Sequence, residues 1–412
     1  METKPLATFA VNARLKLLDS IKSKLSSVLL DNSHERSENP RSVSALEDQI
    51  SSSSVDTVVD EIAYVWFNRF LVLTMLDHVG YNNPKALTPV GEAVLPEILQ
   101  RARAGEIDPE IHDHSSASRI RSLLAGEIPS NRPDMEAYAI LLRNVCKAWG
   151  SRFPLIFKSN HEVADLLTPL DLLSKGSIRT SFIKEISGGY AAEVETIGWL
   201  FQFYNSDVKK SAFQKFKAGK KANHDDLVAA TQIFTPKTVA LRLAQNSIGS
   251  LWAMNHPSSN FSEKLPEIAK IEAVPSNRLE PESLTVFDPA CGSGNLLLSS
   301  YDLLEEIYLE SGYNASSIPD MILTHNLHGV DIDQRAAALA SFAIWLRASR
   351  NLPKSTALNL PQPKIHFLRD SDAVMDLASK CDDEEVAGRL SRAARAGILG
   401  SLVQLKESDI EL

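Results

Sequence analysis

Apolar residues recur at three- and four-residue steps along the first half of the chain and in short β-branched runs along the second. The clearest helical stripe is Ile62, Val65, Trp66, Phe70, Leu73 and Leu76, which predicts a core-facing helix over Val58–Leu76. Ser51–Ser54 ahead of it offer an N-cap, and Gly80 offers a left-handed stop. Similar patterns predict helices over Ala10–Leu30, Glu92–Gly105, Met135–Trp149 and Ala164–Leu173, with Pro154 as a break. Asp31–Arg41, rich in polar residues, reads as a loop. Val194–Tyr204 is a dense aromatic helix, fit for a buried core or, at a stretch, for stacking bases.

The period changes after residue 233. Thr235 is a good N-cap and Pro236 a good first residue for a helix running to Trp252. Met254–Ser283, with Pro257, Pro266, Pro275 and Pro281, reads as an irregular connection. Then strands and helices alternate. Leu284–Phe287 is a predicted buried strand, Asn295 to about Gly312 a helix, and Leu327–Ile332 a strand. The alanine-rich Gln334–Arg347 is a helix able to lie close to a sheet, and Lys364–Leu368 is a third strand. A helix near Glu384–Ala396 and an apolar run, Ile398–Leu405, follow. This order predicts an α/β domain with a parallel sheet behind an all-helical one. We place the helical domain at residues 1–185 and the α/β domain at 186–412.

Composition changes this picture little. A chain of 412 residues with 44% hydrophobic and 23% charged residues suits a globular protein of two or three domains. The net charge of −9 argues against a protein that coats nucleic acid unaided, without excluding a local basic patch. One patch is visible: Lys209, Lys210, Lys215, Lys217, Lys220 and Lys221, with Phe213 and Phe216 interleaved. It reads equally as a phosphate contact or as a solvated helix face with both phenylalanines turned inward. The three cysteines are far apart and form no C-x-x-C, which fits a reducing compartment and signals no structural zinc. No signal-like or membrane-spanning run is present, so a cytoplasmic protein is expected. His112 and His114 could touch a metal from a strand or loop, but no third ligand is near in sequence, and a solvated loop explains them as well.

The chemistry concentrates on Asp288-Pro289-Ala290-Cys291-Gly292-Ser293-Gly294-Asn295. An acidic residue closes a strand, two glycines allow a tight turn close to a ligand, and a helix begins with its N–H groups free. Asp331 and Asp370 end the next two strands in the same way. Three acceptors at one sheet edge suit a cofactor with an ammonium, a ribose diol and an adenine ring. No third glycine follows Gly294, as a dinucleotide site requires, and no Gly-Lys-Ser/Thr follows, as a phosphate loop requires. The pattern therefore fits S-adenosylmethionine better than a dinucleotide.

These residues carry a resemblance. Asp288 to Asn295 is similar to motif I of the adenine-N6 DNA methyltransferases, Phe234-Thr235-Pro236 to their motif X, and Gly329-Val-Asp331-Ile332-Asp to their motif II; Asp370 matches motif III loosely. The order X, I, II, III is that of the γ-type members. Tyr64-Val-Trp-Phe-Asn-Arg-Phe, Glu195-Thr-Ile-Gly-Trp-Leu-Phe-Gln-Phe-Tyr and Ala230-Thr-Gln-Ile-Phe-Thr-Pro narrow the resemblance to the N-terminal part of the PglX-type methyltransferases of BREX phage defence. The resemblance implies a Rossmann-like methyltransferase core, here the first half of its sheet, behind the helical domain. It also implies methylation of adenine N6 in double-stranded DNA. The implied cofactor contacts are Phe234, Thr235, Pro236, Asp288, Pro289, Ala290, Gly292, Gly294, Asn295, Asp331, Ile332 and Asp370.

Two departures matter. Asp331 lies 43 residues after Asp288, where about 20 is usual, so an extra helical piece is expected between Glu310 and Asn326. The family's catalytic Asn/Asp-Pro-Pro-Tyr/Phe tetrad is missing, since the sequence contains no Pro-Pro dipeptide. No catalytic residue is therefore expected here. The adenine-holding half and target recognition would come from a second polypeptide or a missing C-terminal part, and the first strand would leave an apolar edge that favours association. The competing expectation is a catalytically inactive subunit of a defence complex that binds S-adenosylmethionine or DNA.

Overall fold

The computed structural model describes residues 4–91, 93–158, 160–186, 190, 193–219, 235–261 and 279–367, with single positions at 379, 388, 391 and 392. The chain forms two compact units, Met1–Lys210 and Ser211–Leu412. This division falls later than residue 185, because the aromatic helix at Glu195–Tyr204 packs against the first helix of the chain.

The first unit is helical among its described residues: α1 (Lys4–Val28), α2 (His34–Glu38), α3 (Pro40–Ser52), α4 (Val55–Val79), α5 (Glu97–Arg103), α6 (His114–Leu124), α7 (Pro133–Trp149), α8 (Pro154–Phe157), α9 (His161–Leu166), α10 (Ile178–Ile186) and α11 (Glu195–Tyr204). Ser54 caps α4 by accepting the Thr57 N–H at 3.1 Å, and Gly80 ends it at φ 83°. The predicted apolar stripe understates this helix. Every residue from Trp66 to Asp77 is buried, so α4 is the central rod around which α1, α3, α8, α9 and α10 pack.

The polar residues inside that rod hold its neighbours. Arg69, fully buried, donates to the Asp165 carboxylate at 2.7 Å and to the Phe157 carbonyl at 3.0 Å, and lies over the Trp66 ring. Asp77, also fully buried, accepts from Asn82 Nδ2 at 2.6 Å and from the backbone N–H of Ala86, Leu87 and Thr88. It thereby fixes the loop after α4, whose Leu87 and Val94 carbonyls accept from the buried Arg179. Tyr204 of α11 meets Tyr64 and Phe67 of α4 at ring distances of 4.8 and 4.6 Å, so the aromatic helix serves the core.

Some polar stretches are more ordered than their composition suggested. Asp31–Arg41, expected as a loop, contains α2 and the start of α3, with Ser33 capping α2. The His112–His114 stretch is also local structure. His112 is buried with its ring nitrogen 3.0 Å from Asn144, Asp113 caps α6 by accepting the Ser116 N–H, and His114 begins that helix. No described helix is long and apolar enough to cross a membrane.

Helix α12 (Ser206–Lys217) spans the division between the units and carries Lys209, Lys210, Lys215 and Lys217; Lys220 and Lys221 lie outside the described residues. Phe213 is 46% exposed rather than turned inward.

The second unit then contains α13 (Lys237–Ala244), a π-helical turn (Gln245–Gly249), α14 (Ser250–Asn255), β1 (Val286–Asp288), α15 (Asn295–Glu310), α16 (Ile318–His325), β2 (Leu327–Asp331), α17 (Gln334–Ser349), α18 (Lys354–Leu358) and β3 (Lys364–Phe367). The strands form one parallel sheet in the order β1-β2-β3. Asp288 pairs with Gly329, and Asp331 with Phe367. Helix α16 is the extra piece expected between Glu310 and Asn326. The first strand is shorter and more open than predicted: Leu284 is buried but precedes it, and Phe287 is 45% exposed. Its physical reason is position, for among the described residues β1 pairs on one side only. The predicted helix 384–396 and the run 398–405 lie outside the described residues.

Asp77→Ala removes the acceptor of four donors, three of them buried. It is expected to lower unfolding stability by about 3 kcal/mol in urea titration, and a loss below about 1 kcal/mol would contradict the loop-anchoring role.

Candidate cofactor site

The site grows from the carboxyl ends of β1 and β2. After Asp288 the chain turns through Pro289 and Ala290, and the Ala290 N–H donates to Asp288 Oδ1 at 3.2 Å. The Cys291 N–H then donates to the Val330 carbonyl at 2.9 Å, which pins the turn to β2. Gly292 and Gly294 both take positive φ, 54° and 86°. They differ in surroundings. A Cβ on Gly294 would lie 3.2–3.3 Å from Ala340 of α17, whereas one on Gly292 would meet nothing within 4 Å. Gly294 is thus needed for helix packing, and Gly292 faces open space at the mouth of the turn.

Asp331 ties the two strand ends together. Its Oδ2 accepts the Gly292 N–H at 2.8 Å and its Oδ1 accepts the Asp333 N–H at 2.8 Å. Each oxygen keeps a lone pair for a further donor. The side chain of Asp333, which sequence reasoning did not single out, caps α17 and forks with Arg335. An acidic residue directly before a helical run was the signal available for it. Ile332, between the two acids, is 47% exposed and offers an apolar surface beside them.

The electrostatics have one sign. Burial raises the Asp288 carboxyl above its ordinary range, and the nearby Asp331 raises it further while the Ala290 N–H opposes. Burial likewise raises Asp331, against the Asp333 and Gly292 N–H groups. Burial and both carboxylates push the Cys291 thiol well up, so it is no nucleophile. Two half-buried acids that repel each other favour a cationic ligand over a phosphate.

The Thr-Pro turn reaches this site through its backbone. Asn295 Nδ2 donates to the Thr235 carbonyl at 2.8 Å, and α13 packs along α15. Thr235 is not the N-cap that its sequence suggested. Pro236 is extended at φ −57°, ψ 142°, the helix begins at Lys237, and no side-chain cap bond forms. With ψ at 142° the proline itself takes the cap position, so Thr235 lies one residue outside the helix and its carbonyl is held by Asn295 instead. Phe234 and Asp370 lie outside the described residues.

The family described as MmeI, DNA-methyltransferase domain, matches residues 269–374, the stretch that holds both strand-end acids. Over 315 residues the chain is 34% identical to the adenine-specific methyltransferase BrxX of Escherichia coli O9:H4, covering 72% of this chain and 25% of that protein. It is 28% identical to the adenine-specific methyltransferase PglX of Lacticaseibacillus casei, covering 99% of this chain and 38% of the other. The chain is a relative of the PglX-type adenine-specific methyltransferases. A shorter match, 28% identical over 29% of the chain, is to a putative type II restriction enzyme and methyltransferase of Methanocaldococcus jannaschii. The chain spans less than two-fifths of the length of each of these relatives.

The two glycines should separate by experiment. Gly294→Ala is expected to destabilise the protein by about 2–3 kcal/mol, from backbone strain and the encroachment on Ala340. Gly292→Ala should cost about 1 kcal/mol, from strain alone. Equal losses in paired thermal melts would contradict the assignment of packing to one and openness to the other.

Proposed function

We propose that this chain is the S-adenosylmethionine-binding portion of a DNA methyltransferase that modifies adenine N6 in phage defence of the BREX type. The observation that carries the proposal is the pair of acids raised by burial, Asp288 and Asp331, at adjacent parallel strand ends around the Gly292 turn. The residues fit the cofactor. Asp288 has one oxygen on a backbone N–H and would hold a cationic group. Asp331 would accept from both ribose hydroxyls with its remaining lone pairs. Ile332 would cover one face of the adenine ring, Gly292 leaves room for close approach, and Asn295 positions the Thr235-Pro236 turn. Pro289, Ala290 and Gly294 shape the loop, while Phe234 and Asp370 complete the proposed contact set. S-adenosylmethionine would supply the methyl group.

The three described strands with their helices are, on this reading, the first half of a Rossmann-like methyltransferase core. The group that grips the target adenine comes from outside these 412 residues, since no Pro-Pro tetrad occurs in them. Lys209, Lys210, Lys215, Lys217, Lys220 and Lys221 are proposed phosphate contacts on double-stranded DNA. The exposed Phe213 beside them supports a working surface over a purely solvated one.

The raised acids fix the sign of a pH effect. A carboxyl raised on folding adds stability while protonated and loses it as pH rises through its folded pKa, so ionised Asp288 strains the ligand-free protein at neutral pH. Asp288→Asn is expected to melt higher than wild type without cofactor and to lose the S-adenosylmethionine-induced shift. A variant that melts lower and still responds fully would contradict the cationic-ligand reading. Asp331→Ala should weaken S-adenosylmethionine at least tenfold in calorimetry, about 1.4 kcal/mol, and equal heats for variant and wild type would sink the ribose assignment.

A further inference from the structure

The Thr-Pro helix is fastened to the cofactor helix at two points. At one end Asn295, the first residue of α15, holds the Thr235 carbonyl at 2.8 Å. At the other end Glu310, the last residue of α15, receives the Trp252 indole N–H at 3.1 Å, the Ser259 hydroxyl at 2.7 Å and the Asn260 N–H at 2.7 Å. Trp252 and Ser259 are buried, so their donors need this acceptor. The two helices therefore run side by side in the same direction, the first and last residues of α15 holding the approach to α13 and the end region of α14.

The π-helical turn between the two fastenings sets their rotation. The residues buried along α13, the π-turn and α14 include Ala240, Ala244, Ile248 and Trp252, a spacing of four throughout. Over these three steps a regular α-helix, at about 100° per residue, would drift by about 120° around its axis. A π-turn inserts about one residue into the ladder and takes back about 100° of that drift. The Gln245–Gly249 turn thus lets Trp252 reach Glu310 while Thr235 reaches Asn295.

We infer that Glu310, by holding Trp252, Ser259 and Asn260, positions the distant Thr235-Pro236 turn at the cofactor site. Glu310 touches no cofactor on this account; it is a positioning residue that acts along a helix of fixed register. The inference about positioning for S-adenosylmethionine rests on the proposed function, while the mechanical coupling along the helix does not. Burial opposes ionisation of Glu310, but its three donors outweigh it and hold the carboxyl below its ordinary range, consistent with a charged acceptor.

The test uses the full chain as wild type, Glu310→Ala, Glu310→Gln and Trp252→Phe. Hydrogen exchange is followed separately over Lys237–Ala244 and over Ser250–Phe261, without cofactor. Glu310→Ala is expected to speed exchange at least fivefold in both segments, with Trp252→Phe doing the same more weakly. Glu310→Gln, which keeps a neutral acceptor and a similar shape, should restore most of the protection at Lys237–Ala244. Faster exchange confined to Ser250–Phe261 would mean a local cap only and would overturn the coupling. In calorimetry, Glu310→Ala should weaken S-adenosylmethionine about five- to tenfold at unchanged stoichiometry, and wild-type affinity in that variant would overturn the positioning role. If the alanine variant does not fold, the Gln and Phe variants decide by the same two readouts. A wild-type protein that binds no S-adenosylmethionine would refute the cofactor reading instead, and the exchange result would still decide the coupling.

Discussion

One carboxylate organises the candidate site. Asp331 accepts the N–H of Gly292 and that of Asp333, so the turn after β1 and the turn after β2 are built against the same side chain. Both turns need it for a physical reason. The Gly292 turn has positive-φ backbone and no regular partner for its N–H, and the β2 turn must redirect the chain into α17 within two residues. Remove the carboxylate and two strand-end loops lose their common anchor. Its position also places the charge where a ligand of an open parallel sheet would lie, at the carboxyl ends of the strands.

The rest of the second unit supports that arrangement. Alanines let α17 come close to β2 and β3, close enough that a Cβ on Gly294 would press on Ala340. Arg347 of α17 bridges Asp302 and Glu305 of α15 at 2.7 and 2.6 Å, which sets the two helices that flank the sheet. Asn326, fully buried, donates to the Pro281 and Leu284 carbonyls and accepts from Tyr308, so the entry to β1 and the exit of α16 are fixed together. The negative potential at the strand ends is unfavourable for the protein by itself. Its retention in an otherwise well-satisfied structure is what a functional site looks like.

Much of this was legible in the sequence, for identifiable reasons. Asp288, the two glycines and Asp331 form a local pattern; the structure gives both glycines the positive φ of a tight turn, while the packing of Gly294 on Ala340 and the backbone anchoring by Asp331 had no sign in the sequence. The period-3.6 stripe of α4 was equally plain, although its full burial was not, because periodicity cannot show that a helix has neighbours on all sides. Thr235 misled because a threonine before a proline looks like a cap, whereas its carbonyl is what the structure uses, and backbone acceptors leave no trace in side-chain identity. The π-turn was written in the four-residue spacing of Ala240, Ala244, Ile248 and Trp252, but only a partner helix makes that spacing meaningful. The polar segment Asp31–Arg41 was read as a loop because α2 within it is held by its Ser33 cap and buries no residue, so it leaves no apolar face in the sequence.

The central claim is that the Gly292 turn and the end of β2 together form the S-adenosylmethionine site. It is tested most directly by ultraviolet crosslinking of tritium-labelled S-adenosylmethionine to the protein, followed by peptide mapping of the label. The account predicts label in peptides that contain Asp288–Asn295 or Asp331–Asp333, suppressed by unlabelled cofactor and absent in Asp331→Ala. Saturable label confined to peptides of the first unit would contradict it.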